Sequence, residues 1–308
     1  MNSTAVALFG YNRPAHIKKC LEGLVSNKDF SLFPIYIFLD GMKPDESEIK
    51  HLSVAEVCEE FSKKYSNITV VKSNENLGLR KSIINNLDNL FKEYFKVITL
   101  EDDLLISEDF LIYMNQALLH FQSDALIGSI SGFREGFFPP YLRSDLVAAN
   151  RHCCWGWATW RDRWEKVNWH MPAFGSSDFE RDLGLLSGIG ADLGHMYALQ
   201  SNGLIDSWSI TFDANAARNR WRCISPRRNL VSNAGLDGTG THFTSPVTLV
   251  SGINYPKGTL TVRMRSYSIS TVYDIVLKFT HSNIIRLVRR IVHGIAAKVQ
   301  GLSRNSSL

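Results

Sequence analysis

Up to Leu100 the chain alternates short apolar runs with stretches of helical spacing, and this alternation limits the fold more than any other feature. The apolar runs are Thr4–Phe9, Pro34–Leu39, Ile68–Val71 and Val97–Leu100. Pro14, which suits a first helical turn, follows the first run, and Ile17, Leu21 and Leu24 then recur on one helical face. Leu52, Ala55 and Phe61 mark a second helix, and Ile83, Leu87, Leu90 and Phe91 a third. Apolar runs this short suit strands covered on both faces, with the helices as crossovers. The βαβα order therefore predicts an α/β fold around a largely parallel sheet. Sheets of this kind bind ligands at the carboxyl ends of their strands.

The fourth run ends in Glu101-Asp102-Asp103. Adjacent carboxylates repel one another and lose solvation when buried. At a strand's carboxyl end the group suits a hard divalent cation, Mg²⁺ or Mn²⁺, which keeps waters and takes one or two carboxylates together with substrate phosphates. Capping of the next helix is the structural alternative. That role falls to Ser107 and Glu108-Asp109, just ahead of Phe110. After the first strand the sequence reads Gly10-Tyr11-Asn12-Arg13-Pro14, without a dinucleotide fingerprint, and no P-loop occurs.

Composition removes other classes. With 308 residues, 44% hydrophobic and 21% charged, the chain can bury a core without staples, and disorder, collagen and coiled coil are excluded. Five cysteines, an odd number without a C-x-x-C pair, suggest neither a disulfide framework nor a zinc site and fit a reducing cytoplasm. The first apolar run is too short for a signal peptide, and no stretch of about 18 apolar residues predicts a membrane span. Net charge is +4, but residues 275–308 carry six Lys and Arg and no acid, so subtracting six leaves −2 on residues 1–274. Such a balance does not describe a nucleic-acid binder.

Beyond about residue 125 the pattern loosens. Helices are expected over Phe179–Leu186 and Ser207–Ala217, and a loop over Gly235–Thr241. Trp155, Trp157, Trp160, Trp164 and Trp169 crowd one segment. Trp160 and Trp164, four apart, suggest one packed helix face, whereas Trp157 is a candidate for stacking on a sugar ring. Cys153-Cys154 reads as buried, and His152 as structural or solvent-facing.

Several segments together resemble a known family. These are LFGYNRP (8–14), FLDG (38–41), NLGLRKS (76–82) and LEDDL (100–104), then Gly156-Trp157, Asp206-Ser207-Trp208, Ile224–Arg227 and Gly238–Phe243, in that order over roughly residues 4–245. They are similar to GT-A fold nucleotide-sugar glycosyltransferases, notably the Golgi N-acetylglucosaminyltransferases with an E-D-D-L element, and to bacterial surface-polysaccharide glycosyltransferases. The resemblance implies a catalytic domain over 1–250, with a nucleotide-binding half (1–125) and an acceptor-side half (126–250), and an extension over 251–308. It implies that Arg13 contacts the nucleotide or diphosphate and that Asp40 hydrogen-bonds the base. A turn role in Asp40-Gly41 is the alternative. Arg80 and Lys81 are expected at the diphosphate, or on a solvated helix face. Asp103 is expected to ligate the metal, Asp102 and Glu101 to contact the donor, and His242 to close over the diphosphate or metal. Asp206 matches the position of the catalytic base, although the family carries two acids where this chain has Asp206-Ser207. An N-cap is the alternative.

The implied activity is inverting, metal-dependent transfer of a sugar from a nucleotide donor, of UDP type and possibly UDP-GlcNAc by the family likeness, to a glycan or lipid-linked acceptor. A sugar nucleotidyltransferase and an inert glycan- or membrane-binding GT-A module are the alternatives. In the tail, Ile284, Val288, Ile291, Ile295 and Val299 follow helical spacing, with Arg286, Arg289, Arg290 and His293 largely off that stripe. A basic amphipathic helix over 275–300, lying on an anionic membrane surface, is expected, with docking on the domain as the alternative. A cytoplasmic protein held peripherally at the inner face of the cytoplasmic membrane follows, with no nucleic-acid partner.

Overall fold

The computed structural model describes residues 4–44, 48–136, 144–237, 267–269 and 271–282. Its first strand, β1 (Thr4–Gly10), is buried at every position, as its unbroken apolar run requires of a central parallel strand. The chain continues through α1 (Pro14–Val25), β2 (Ile35–Leu39), α2 (Glu48–Lys64), β3 (Ile68–Lys72), α3 (Leu79–Glu93) and β4 (Lys96–Glu101). Pro14 opens α1, where its missing N–H costs nothing. The helix then buries Ile17, Cys20, Leu21 and Leu24. Strands β1, β2, β3 and β4 are all parallel neighbours, so the expected βαβα unit is present.

The second half is richer in strands than its sequence suggests. It contains β5 (Leu104–Ile106), α4 (Phe110–His120), β6 (Ile127–Ser131), β7 (Leu146–Ala149), β8 (Trp157–Trp160), α5 (Arg161–Trp164) and α6 (Ser177–Ile189). α7 (Ala191–Ser201), α8 (Trp208–Arg218), β9 (Arg222–Pro226), β10 (Val231–Asn233), β11 (Ser268–Ile269) and α9 (Thr271–Thr280) complete it. Among the described residues one sheet runs β11-β7-β9-β6-β8-β4-β1-β2-β3, mostly parallel and flanked by helices. The antiparallel member between the two halves is β8, which pairs with both β4 and β6. β5 and β10 form a separate antiparallel pair.

Two details depart from the sequence reading. Trp160 ends a strand rather than sharing a helix face with Trp164. The two rings lie in different clusters, Trp160 with Leu118 and Ile130 and Trp164 with Phe91 and Trp208. Asp109 sits at the N-cap position of α4 but makes no side-chain cap bond; its carboxylate accepts from Lys28 Nζ at 3.0 Å. Because β5 follows Asp103 directly, Glu101–Asp103 caps no helix. Among the described residues no helix is long and apolar enough to cross a membrane.

Candidate active site

The parallel register sets out one edge of the sheet. Phe9 lies beside Glu101, Gly10 beside Leu39, and Leu39 beside Lys72, so β1 to β4 end together. Four connections leave that edge: Tyr11–Arg13, Asp40–Gly41, Ser73–Gly78 and Glu101–Asp103. β8 runs the other way and begins there, with Trp157 opposite Thr99.

Asp102 and Asp103 differ in exposure, their side chains being 4% and 14% accessible. Arg13 binds both, its Nη2 on Asp102 and its Nη1 on Asp103 Oδ2 at 3.1 Å. Burial raises Asp102 above the usual carboxylate range even with Arg13 beside it. Burial, together with the charges of Asp103 and Asp102, pushes Glu101 up to about 8. The cluster thus holds more acid than one arginine neutralises.

The β5–β10 pair brings a further segment to this point. The 3₁₀ turn Ala234–Asp237 follows β10, and Ala234 N donates to the Asp103 carbonyl at 2.7 Å. A side chain at Gly235 would place its Cβ 2.6 Å from Asp103 Oδ2, so glycine lets this backbone lie against the carboxylate without pushing it aside.

A divalent cation of the kind the sequence implies takes oxygen donors such as these. Among the described residues no group of three or more His, Cys, Asp or Glu could form a protein cage. Mg²⁺ and Mn²⁺ need none when a diphosphate supplies the remaining oxygens. A partly accessible Asp103 beside two further carboxyls is a set of oxygen donors with an open side. The residues present therefore fit a cation shared with a substrate. His242 lies outside the described residues, five positions beyond Asp237.

Asp40 is buried, and its contacts are those of a turn residue. Oδ1 accepts from Gly41 N at 3.0 Å and Leu77 N at 2.8 Å, and Oδ2 from Gly78 N at 2.8 Å. It thereby ties the end of β2 to the entry of α3. Asn76 Nδ2 reinforces the tie by donating to the Gly41 carbonyl at 2.6 Å. A Cβ at Gly41 would meet the Glu75 carbonyl carbon at 2.3 Å, so the close approach requires glycine.

From that loop α3 begins, and Arg80 sits in its first turn. Its Nη2 donates to the Trp169 carbonyl at 2.6 Å, and its Nε, buried without a hydrogen bond, faces Asp206 Oδ1 at 3.7 Å. Arg80 therefore meets the candidate base, where the resemblance implied the diphosphate. Lys81 is exposed on the next position of α3.

Asp206 is 65% accessible. Ser207 performs the capping that either residue could have done: its Oγ accepts from Ile210 N at 3.4 Å. Asp206 is left outside the cap, facing Arg80. The start of α8 is fixed at this edge by Trp208, whose ring stacks on Trp157 at 4.9 Å and 18°. That stack overturns the sugar-site expectation for Trp157. Its ring has no accessible surface and packs among Trp208, Trp164, Phe212 and His152. His152 is structural: Ser129 Oγ lies 2.9 Å from its Nδ1, and burial beside Arg151 pushes it down to about 3.

The sequence reading missed a polar group behind this wall. On α8, Asp213 accepts from His152 N at 3.3 Å, and burial raises it to about 7 despite nearby Arg151. Arg151 joins Asp192 at 2.7 Å and Glu135 at 3.4 Å. No local motif announces these contacts, because they span up to 61 positions (His152 to Asp213).

With this geometry in place, comparison with known proteins decides the family. Residues 6–182, more than half of the chain, match glycosyl transferase family 2. The chain belongs to that family. No curated protein matches it in sequence. Among solved structures it resembles S. aureus TarS, at 13% identity and a TM-score of 0.46, over 72% of this chain and 35% of that one. It also resembles TarS 1–349 in complex with UDP-GlcNAc, at 15% identity and 0.40, over 72% and 55%. A third is the mannosyltransferase PcManGT from Pyrobaculum calidifontis in complex with GDP-Man and Mn²⁺, at 14% and 0.33, over 43% and 35%. The chain spans between a third and just over half of these proteins' lengths. As a family 2 glycosyltransferase domain, it keeps its acidic cluster at the carboxyl edge of a GT-A sheet.

Proposed function

We propose that this family 2 member is an inverting glycosyltransferase that takes a sugar from a nucleotide donor and transfers it to a hydroxyl of a glycan or lipid-linked acceptor. The observation that carries the reading is the pairing of two acidic features at one edge. Glu101–Asp103 sets three adjacent carboxyls against the single Arg13, and Asp206 is an accessible carboxylate facing Arg80 outside any cap.

Asp103, the more accessible aspartate, would hold a Mn²⁺ or Mg²⁺ ion brought with the donor diphosphate, Asp102 would contact the ribose or donor sugar, and Glu101 the sugar. When bound, the ion stabilises negative charge on the departing nucleotide. Arg13, now on Asp102 and Asp103, has the planar donors to turn to phosphate oxygens. Asp40 shapes the nucleoside side by fixing the Leu77–Gly78 amides. Asp206 accepts the proton of the acceptor hydroxyl as that oxygen attacks the anomeric carbon from the face opposite the leaving diphosphate. Arg80, 3.7 Å away, orients it. His242, shortly beyond the segment that abuts Asp103, is proposed as a lid residue. The sequence resemblance supports a UDP-sugar, UDP-GlcNAc first, and a role in bacterial surface-polysaccharide synthesis.

Donor screening by thermal shift, with and without Mn²⁺, tests the reading, since a bound donor stabilises the fold by mass action. Productive turnover releases nucleoside diphosphate. Pyrophosphate release would mark nucleotidyl transfer, and no product with any donor would mark an inert module.

A further inference from the structure

The segment following β11 is held to the domain in one fixed rotation. On α9, Asp274 accepts from Asn150 N at 3.0 Å and Nδ2 at 3.1 Å, and lies 3.3 Å from Arg222. Tyr273 OH donates to the Glu135 carbonyl at 2.8 Å. Just past the helix, His281 reaches Glu135 at 2.6 Å and Asp192 at 3.2 Å. Tyr273 and Leu277 are buried against Val147 and Ala149. The helix begins at Thr271, earlier than the expected 275, and closes at Thr280; residues 283–300 of that expectation lie outside the described residues.

With that face docked, Val272, Ile275 and Phe279 point away, 51%, 60% and 63% accessible. Positions i, i+3 and i+7 form one stripe along the helix. The polar anchors prevent it from turning inward. An exposed stripe of large apolar side chains on a clamped helix marks a surface that something covers.

We propose that α9 is a docking face for an anionic lipid bilayer, with Val272, Ile275 and Phe279 entering the boundary between headgroups and acyl chains. Charge complementarity selects this occupant. Lys278 flanks the stripe, and the one acid of α9, Asp274, is turned inward to Asn150 and Arg222. The chain beyond it, residues 283–308, contributes five Lys and Arg and no acid. Apolar side chains beside basic ones on a short helix suit a surface that is negative outside and apolar beneath. The inference does not depend on the transfer chemistry.

Flotation of the full chain with vesicles of phosphatidylcholine and phosphatidylglycerol, and with pure phosphatidylcholine, tests it. The natural chain is expected to float with the anionic vesicles and not with the neutral ones. Ile275→Gln/Phe279→Gln, at exposed positions outside the active site, is expected to lose roughly tenfold or more in partitioning at an unchanged melting temperature. Phe279→Trp, which keeps an interfacial aromatic, is expected to retain binding. Undiminished binding of the Gln variant, or no binding of the natural chain to anionic vesicles, overturns the proposal. So does a dimer in sedimentation that the Gln variant abolishes while vesicle binding stays the same, because the stripe then covers a second copy.

Discussion

Replacing His281 by Gln should loosen α9 in a pH-dependent way. The imidazole lies between Glu135 and Asp192 and is only 18% accessible. Burial works against its charged form, but the hydrogen bonds that its ring N–H groups donate to Asp192 and Glu135 outweigh it and raise His281 to about 9. Against an unfolded value near 6.5, that difference corresponds to roughly 3 kcal/mol. Because the folded value is the higher one, the contribution is complete below about pH 6.5, declines as pH rises and is lost above about 9. Urea unfolding of both chains across that range measures it. At pH 6, His281→Gln should be less stable by about 2–3 kcal/mol, and by pH 10 the gap should fall below about 1 kcal/mol. Titrations of groups that do not contact His281 are common to both chains and cancel in the difference, and Arg151 also helps hold Glu135 and Asp192 below the usual carboxylate range. A gap that stays constant with pH, or one under about 0.5 kcal/mol at pH 6, refutes the reasoning.

Other expectations follow from single contacts. Trp157→Ala should cost about 3–5 kcal/mol in chemical denaturation, as the loss of a fully buried ring does; normal stability with weakened sugar binding would restore the stacking role. Asp182 is fully buried and accepts from Tyr197 OH at 2.7 Å and Arg218 Nε at 2.7 Å, so Asp182→Asn should cost about 3 kcal/mol in urea unfolding at pH 7. Its carboxyl is held below the usual range, so that contribution should vanish as the solution is acidified and the difference between the chains should close. Gly235→Ala should leave the fold intact and weaken Mn²⁺-dependent donor binding in calorimetry, because the new Cβ would crowd Asp103 Oδ2.

The first half of the fold was legible because each strand is centred on a short, mainly apolar run and each helix places apolar residues at helical spacing. β6, β7, β8 and β9 were not, because Gly, Ser, Arg and Pro break up β6 (IGSIS) and β9 (RCISP), β7 is only four residues long, and β8 is read as a cluster of tryptophans. The acidic triplet was legible because local sequence alone sets it behind β4. Arg80 and Trp157 show the opposite case. Motif position pointed Arg80 to a diphosphate and Trp157 to a sugar, but a guanidinium takes whatever acceptor the fold brings near, here Trp169 and Asp206. An aromatic ring next to a site is as useful for supporting α8 as for holding a ligand. The Glu135–Arg151–Asp192–His281 group was invisible because it joins four segments by contact alone.

The central claim is that Asp206 takes the acceptor's proton at a site whose donor end is built on Asp103. Parallel assays of nucleoside diphosphate release and donor-induced thermal stabilisation, with Mn²⁺ present, test it on Asp206→Ala. Full stabilisation by the donor with release slowed by at least about a hundredfold is the predicted result. Near-normal turnover by the variant would contradict the claim.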